Sequence, residues 1–518
     1  MDDAAKFDLI VVGSGSAGAI VAARLSEDPF RRVLLLEAGQ GWRHAPAYMR
    51  SANPLAIILP PDLQAQWQYP GLMAARTRAQ APKLYWRGRG LGGSSAVNAQ
   101  IAIRGVSDAF DEWAESGCEG WSFESVLPHF RRIEDDRMPG DYHGQGGPVP
   151  VHHAPRTAWG PIDRALCDAA LAEGYPWNGD LNAPTGEGVS CYPINSRGGV
   201  RISTNEAFLE PARSRPNLTI QPDALVDRVL LDGRRATGVR VNLPGKGWTD
   251  LAATSVVLCA GAVHSPAILL RSGIGRPEKL KALGIPIAHD LPEVGENFLE
   301  HPLVRALITL KPGYRPKDPD MRHTNVNLTY SSGHGGRRDM MMIAFNHRGF
   351  GPGGADPGGM AVGVFEAESR GELRLTSAAP EIDPFVDCNM LSSERDRMRL
   401  RDGVRRLAKI LAHEPVTRIA ERIAFGTTDL AMDTVAALDD SELDALLLAE
   451  AGDGQHAAGS CKMTAFEEKR GVVNPDGTVK GIAGLRVADA SIMPYDCRAN
   501  THFTTMMIGE NIAARMRA

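Results

Sequence analysis

The chain has 518 residues, of which 43% are hydrophobic and 23% charged, with a formal net charge of −5. That length exceeds what one ordinary core serves, so two or more globular units are expected, and nothing in the charge balance resembles the clustered basic surface that nucleic-acid binding requires. The seven cysteines are odd in number and none stands in a CxxC pair, which argues against a structural zinc site or a disulfide framework. No stretch reads as a secretory leader or as an integral membrane segment, so the expected location is cytoplasmic.

Residues 7–13 (FDLIVVG) form an apolar run closed by glycine, which reads as a buried strand, and a helical pattern covers about 17–25. Residues 32–36 (RVLLL) make a second strand, closed by Glu37, Ala38 and Gly39, which completes a βαβ unit. Residues 40–90 carry many Pro, Gly, Trp and Arg and read as a long excursion over the surface. Residues 107–134 look helical with a break at 117–120, and 136–160 read as a linker. Strands are expected at 218–220, 226–231 and 237–241, with a hairpin turn at Asp232-Gly233, and again at 255–258. Residues 300–425 change texture, with strand-like runs, a Gly/Pro-rich loop at 348–359 and a charged helix over 392–411, and read as a second domain. Strand character returns at 485–487, and a helix over about 504–516 closes the chain.

Gly13-Ser14-Gly15-Ser16-Ala17-Gly18 is a GxGxxG motif that follows a strand, opens a helix and precedes an acidic residue, Glu37, at the end of the next strand. Gly13 permits a tight turn, Gly15 lets backbone approach a pyrophosphate, and Gly18 lets the helix pack on the sheet. The helix N-terminus stabilises the phosphate charge, and Glu37 can accept hydrogen bonds from an adenosine ribose. The motif serves FAD and NAD alike, and its place near the start of the chain leans towards FAD.

Further segments carry a family resemblance. Residues 87–98 (RGRGLGGSSAVN), 261–275 (GAVHSPAILLRSGIG), 294–297 (VGEN) followed by His301-Pro302, and the C-terminal blocks at 456–463, 487–494 and 500–504 resemble, in order, the signatures of the glucose–methanol–choline (GMC) oxidoreductases. The resemblance implies an α/β plus α+β architecture. A Rossmann-like FAD-binding domain would comprise 1–155, 220–300 and 450–518, and an antiparallel-sheet substrate domain 156–219 and 301–449. It also implies cofactor contacts from Gly13, Gly15, Ser16, Gly18, Glu37 and Ala38. Others would come from Arg87, Gly92, Gly93, Ser94, Asn98, Val226, Ala260, Gly261, Asp489, Ala490 and Thr504. Some relatives attach FAD through a histidine at the position matching Val97; valine cannot form that bond, so non-covalent FAD is expected.

Alcohol oxidation requires a base for the hydroxyl proton, a role that suits histidine. By resemblance His456 is that base and His502 orients the alcohol oxygen, with Asn500, two positions earlier, competing for the second role. His264 and His301 read as structural, Cys461 as a small core residue, and no metal is implied. Trp67, Phe345, His347 and Phe365 are candidates for the substrate pocket. The resemblance is to bacterial aryl-alcohol and 5-hydroxymethylfurfural-type oxidases, which implies a small primary alcohol, aromatic or furanic, with molecular oxygen or another electron acceptor. Two alternatives stand beside it: a choline-type or other alcohol dehydrogenase with a non-oxygen acceptor, and a non-redox member similar to hydroxynitrile lyases.

Overall fold

A computed structural model describes residues 7–51, 53–55, 66–184, 186–351 and 354–517. Buried parallel strands need apolar side chains on both faces, and the continuous Val/Ile/Leu runs near the N-terminus supply them. Leu218–Gln221, Val33–Leu36, Phe7–Val12, Gly247–Leu258 and Leu485–Val487 form, in that order, the parallel part of a seven-stranded sheet. Gly247–Leu258 changes partners half-way. Residues 253–258 pair parallel with Phe7–Val12, whereas 247–252 pair antiparallel with Arg235–Leu243. Arg235–Leu243 pairs in turn with Leu225–Asp232 across a turn in which Gly233 has φ +55°.

The second large sheet is antiparallel throughout, in the order Ala420–Phe425, Pro302–Leu310, Gly358–Val364, Met340–Phe345, Val326–Tyr330, Gly188–Cys191. Helix Glu394–Ala412 packs on Gly358–Val364. Ser393 caps its first turn, and Leu400, Val404, Leu407 and Leu411 recur at helical spacing on its buried side. Gly403 stands at the closest approach, where an added Cβ would come within 2.9 Å of Met340 and Val362. Leu303, Arg305 and Leu307 project from the opposite face of the sheet and line a cavity.

Helix Thr501–Arg515 is buried along nearly its whole length because it runs between Gly18–Leu25 and Phe123–Ile133. Its N-terminal turn opens onto the cavity. No described helix is long and apolar enough to cross a membrane.

Two expectations need correction. Residues 40–90 are not simply a surface excursion: Trp67, Leu72, Ala74 and Tyr85 are buried, and Met73–Ala75 and Lys83–Leu84 join a four-stranded sheet with Glu372–Arg374 and Phe385–Asp387. Residues 52 and 56–65 of that stretch, and 352–353 of the loop expected at 348–359, lie outside the described residues. Nor is 136–160 a loose linker. Val149–Pro150 pairs with Glu134–Asp135, and His152–His153 pairs with Pro193–Ile194. Buried His143 lies between Asp136, at 3.3 Å, and Asp180, at 2.9 Å.

Burial opposes the charge on His143, but the nearby Asp136 carboxylate and the hydrogen bond to Asp180 outweigh it and lift its pKa to about 9. The folded pKa lies above the unfolded value, so this contribution is complete below about 6.5 and is lost as pH rises through 9. We predict that the thermal midpoint falls between pH 6.5 and 9.5 and that His143→Gln flattens this slope. Parallel slopes for the two proteins would remove His143 from the account.

Candidate active site

Between the two sheets lies a cavity of about 1180 Å³. The glycine loop forms one wall, with Gly13, Gly15 and Ser16 lining the space. Gly13 has φ +96°, and a Cβ there would lie 2.5 Å from the Cys259 carbonyl oxygen. A Cβ on Gly15 would meet nothing nearer than Gly93 Cα at 3.9 Å and would project into the cavity. Gly18 does not line the cavity; a Cβ there would sit 1.9 Å from the Gly13 carbonyl oxygen, so its hydrogen lets the helix start directly behind the loop.

Glu37 and Ala38 line the same region. The Glu37 carboxylate accepts from Ser14 N–H at 3.0 Å, Ser14 Oγ–H at 2.7 Å, Gly39 N–H at 2.9 Å and Gly90 N–H at 3.0 Å. Its lone pairs are therefore occupied, and it clamps the glycine loop to the 87–98 loop. Arg87, Gly93, Ser94 and Asn98 of that second loop line the cavity, whereas Gly92 lies behind them in a left-handed turn, φ +88°. Val226, Ala260, Gly261, Asp489 and Ala490 complete this end. Asp489 accepts from Gly261 N–H at 2.9 Å, Ser265 Oγ–H at 2.6 Å and Ser491 N–H at 2.8 Å, which fastens the C-terminal loop to helix Gly261–Arg271.

His456 faces the cavity beside Asn500: Asn500 Nδ2 is 2.9 Å from His456 Nε2. Asn500 is the N-cap of helix Thr501–Arg515, yet its side chain makes no capping bond. Among the described residues its Oδ1 has no partner. The Glu300 carboxylate holds the backbone N–H of His456 at 2.8 Å. Behind the ring, His456 Nδ1 is 2.8 Å from His301 Nδ1, and His301 Nε2 is 2.6 Å from Asp496 Oδ2. Burial, then the neighbouring His301 and Arg87, push the His456 pKa well below its ordinary value. His301 moves the other way: burial opposes its charge, but Asp496 overcomes this and raises its pKa. The two shifts favour His301 over His456 as the ring that carries charge.

The structure corrects several expected placements. Asn500, not His502, is the partner of His456. Neighbouring residues of a helix point about 100° apart, and His502, which also lines the cavity, meets Ser16 Oγ, 2.9 Å from its Nδ1. Thr504 is buried and accepts from Gly105 N–H at 3.1 Å, while Thr505 lines the cavity. Phe365 does not line the cavity; it packs behind the histidines, its ring centroid 4.5 Å from that of His301 and 5.9 Å from that of His456. Trp67, Phe345 and His347 do line it. His301, read from sequence as structural, touches His456 directly, and Asp496 was not singled out at all. Only the adjacency of His301 to a signature segment signalled it. The cysteine at 461 is fully buried, as a core residue should be.

A dinucleotide-type glycine loop, a second sheet over it and a histidine in the space between define a two-domain redox enzyme. The chain belongs to the GMC oxidoreductase family, whose N- and C-terminal models match residues 7–303 and 367–509. It is 35% identical to an oxygen-dependent choline dehydrogenase of Klebsiella pneumoniae, over 99% of this chain and 96% of that protein. An enzyme of the same description from Yersinia pestis is 37% identical, over 99% and 94%. The crystal structure of pyridoxine 4-oxidase from Mesorbium loti superposes with a TM-score of 0.89 at 29% identity, covering 99% of each chain. The protein is an oxidoreductase of the alcohol-oxidising GMC class, and GMC oxidoreductases bind FAD. The open space above Gly15 and the helix behind it fit a pyrophosphate.

Gly15→Val would put its Cβ in ordinary contact with Gly93, 3.9 Å away, and its methyls into the cavity, so we predict a folded but colourless protein by circular dichroism and visible absorbance. Gly18→Val would drive a side chain into Gly13 and lower the thermal midpoint as well. A yellow Gly15→Val protein would refute the pyrophosphate placement.

Proposed function

We propose that this chain oxidises a small primary alcohol, aromatic or furanic, to the aldehyde, with His456 as base and Asn500 orienting the hydroxyl group. The observation that carries the reading is the 2.9 Å contact between His456 Nε2 and Asn500 Nδ2 at the cavity wall, backed by His301 and Asp496. FAD, when bound, supplies the acceptor for the carbinol hydrogen and its two electrons. Gly15, Ser16, Ser94, Asn98 and Val226 would line its path, with the parallel sheet as cofactor domain and the antiparallel sheet as substrate domain. Val97 lines the cavity and offers no atom for a covalent link, which supports non-covalent FAD.

The protonation of the histidine pair sets when His456 can act. While His301 is charged, its Nδ1–H faces His456 Nδ1, the single hydrogen of neutral His456 sits on Nε2, and the Asn500 amide must turn its unpartnered Oδ1 towards that hydrogen. Loss of one proton from the pair lets His456 carry its hydrogen on Nδ1 and donate it to His301. The Nε2 lone pair then faces the cavity and can take the hydroxyl proton, while the Asn500 amide donates to the alcohol oxygen.

His456→Ala should slow anaerobic flavin reduction by about 10²–10⁴-fold while FAD stays bound; a near-wild-type rate would end the base assignment. The carboxylate of Asp496 raises the pKa at His301, so kcat/KM should rise with pH through a value above 6.5. Asp496→Asn removes that anion and should move the limb to lower pH, and a limb that stays in place would disconnect Asp496 from the base.

A further inference from the structure

The cavity wall contributed by the antiparallel sheet is mostly apolar, with Leu303, Leu307, Ile343 and Phe345 facing inward. Arg305 stands between Leu303 and Leu307 on the same face, and Arg348 follows just beyond strand Met340–Phe345; both line the cavity. The residue paired directly across the sheet from Arg305 is Ala361, flanked on that face by Gly359 and Gly363, and the guanidinium runs beside Gly452, where an added Cβ would lie 3.3 Å from Nη2. Neither Arg305 nor Arg348 has a side-chain hydrogen bond or ion pair with any described residue.

Of the five carboxylates that line the cavity among the described residues, exposed Glu381 lies with Ala38 and Arg89 towards the glycine-loop end, Asp383 meets His264 Nε2 at 3.3 Å, and the other three are engaged elsewhere. Asp453, whose field reaches Arg305, is held by Arg76 and by Gln455 Nε2 at 2.5 Å. Glu37 and Asp489 are taken up by backbone and serine donors. Desolvation at the cavity wall, then repulsion by Arg348, lowers the Arg305 pKa, with Asp453 opposing. Both side chains present exposed guanidiniums at the cavity wall, and their planar forks suit carboxylate and phosphate oxygens. Arg305 lies four residues along its strand from His301, roughly 13 Å at ~3.3 Å per residue. Its long side chain leaves room for a ring between the guanidinium and His456.

We propose that the alcohol oxidised here carries an anionic group, a carboxylate or phosphate, which Arg305 and Arg348 bind while its hydroxyl end reaches His456 and Asn500. The proposal rests on the alcohol-oxidising reading and narrows its substrate class. It also separates this chain from relatives described as choline dehydrogenases, because a quaternary ammonium would meet two uncompensated cations.

The test uses the holoenzyme under anaerobic conditions with 4-(hydroxymethyl)benzoate, 4-(hydroxymethyl)phenyl phosphate, the neutral 4-(hydroxymethyl)benzamide, and choline. The second-order rate constant of flavin reduction should be at least about tenfold higher for one of the two anions than for the amide, with choline slowest. Whichever anion leads identifies carboxylate or phosphate as the recognised group. In Arg305→Gln and Arg348→Gln that preference should shrink by about tenfold. An amide or choline that reduces the flavin as fast as both anions would overturn the proposal, as would a preference that both variants leave intact. If no alcohol reduces the flavin, the oxidation reading fails by itself. The anion site is then judged by calorimetry with unreactive benzoate, phenyl phosphate and benzamide. At least about tenfold tighter binding of one anion, weakened in Arg305→Gln, upholds the site, and equal affinities overturn it.

Discussion

Two imidazoles 2.8 Å apart in a buried setting cannot both be charged, and the carboxylates of Asp496 and Glu300 favour the charge on His301. Burial and the neighbouring His301 disfavour charge on His456, the ring on the cavity side. Much of the remaining architecture serves to hold that arrangement. Glu300 fixes the backbone of His456, Phe365 packs against both rings, and Asn500 meets Nε2 from the start of a helix that is itself locked between two others.

The same economy runs through the cofactor end. Glu37 and Asp489 are acidic residues in a cavity that fits a dinucleotide, yet each is consumed in tying protein segments together. Their effect is to pre-shape two loops and a helix start before any ligand arrives, which reduces what binding must organise. On the other wall, Arg305 and Arg348 have no hydrogen-bonding or ion-pair partner among the described residues. Electrostatic selection in this enzyme is thus expected at the substrate end.

The parallel sheet was legible in the sequence because its strands are buried on both faces and read as unbroken apolar runs, as at 7–12, 33–36 and 485–487. The turn at Gly233 was legible for a local reason, the positive φ that glycine tolerates. The 40–90 stretch was not, since nothing local distinguishes a tryptophan on a loop from one, like Trp67, buried against another part of the chain. The contacts of His456 were equally hidden: His301 and Asp496 are 155 and 40 positions away, and only the fold brings them together. The choice between Asn500 and His502 turned on where a helix begins, because a shift of two residues swings a side chain through more than half a turn.

The proposed reaction removes a carbinol hydrogen with His456 as the base. The direct measurement is single-turnover anaerobic flavin reduction with a reactive alcohol and with the same alcohol deuterated at the carbinol carbon. Deuteration should slow the observed reduction several-fold and leave the bound FAD otherwise unchanged. Equal rates for the two alcohols, under conditions where chemistry rather than binding limits, would contradict that reaction.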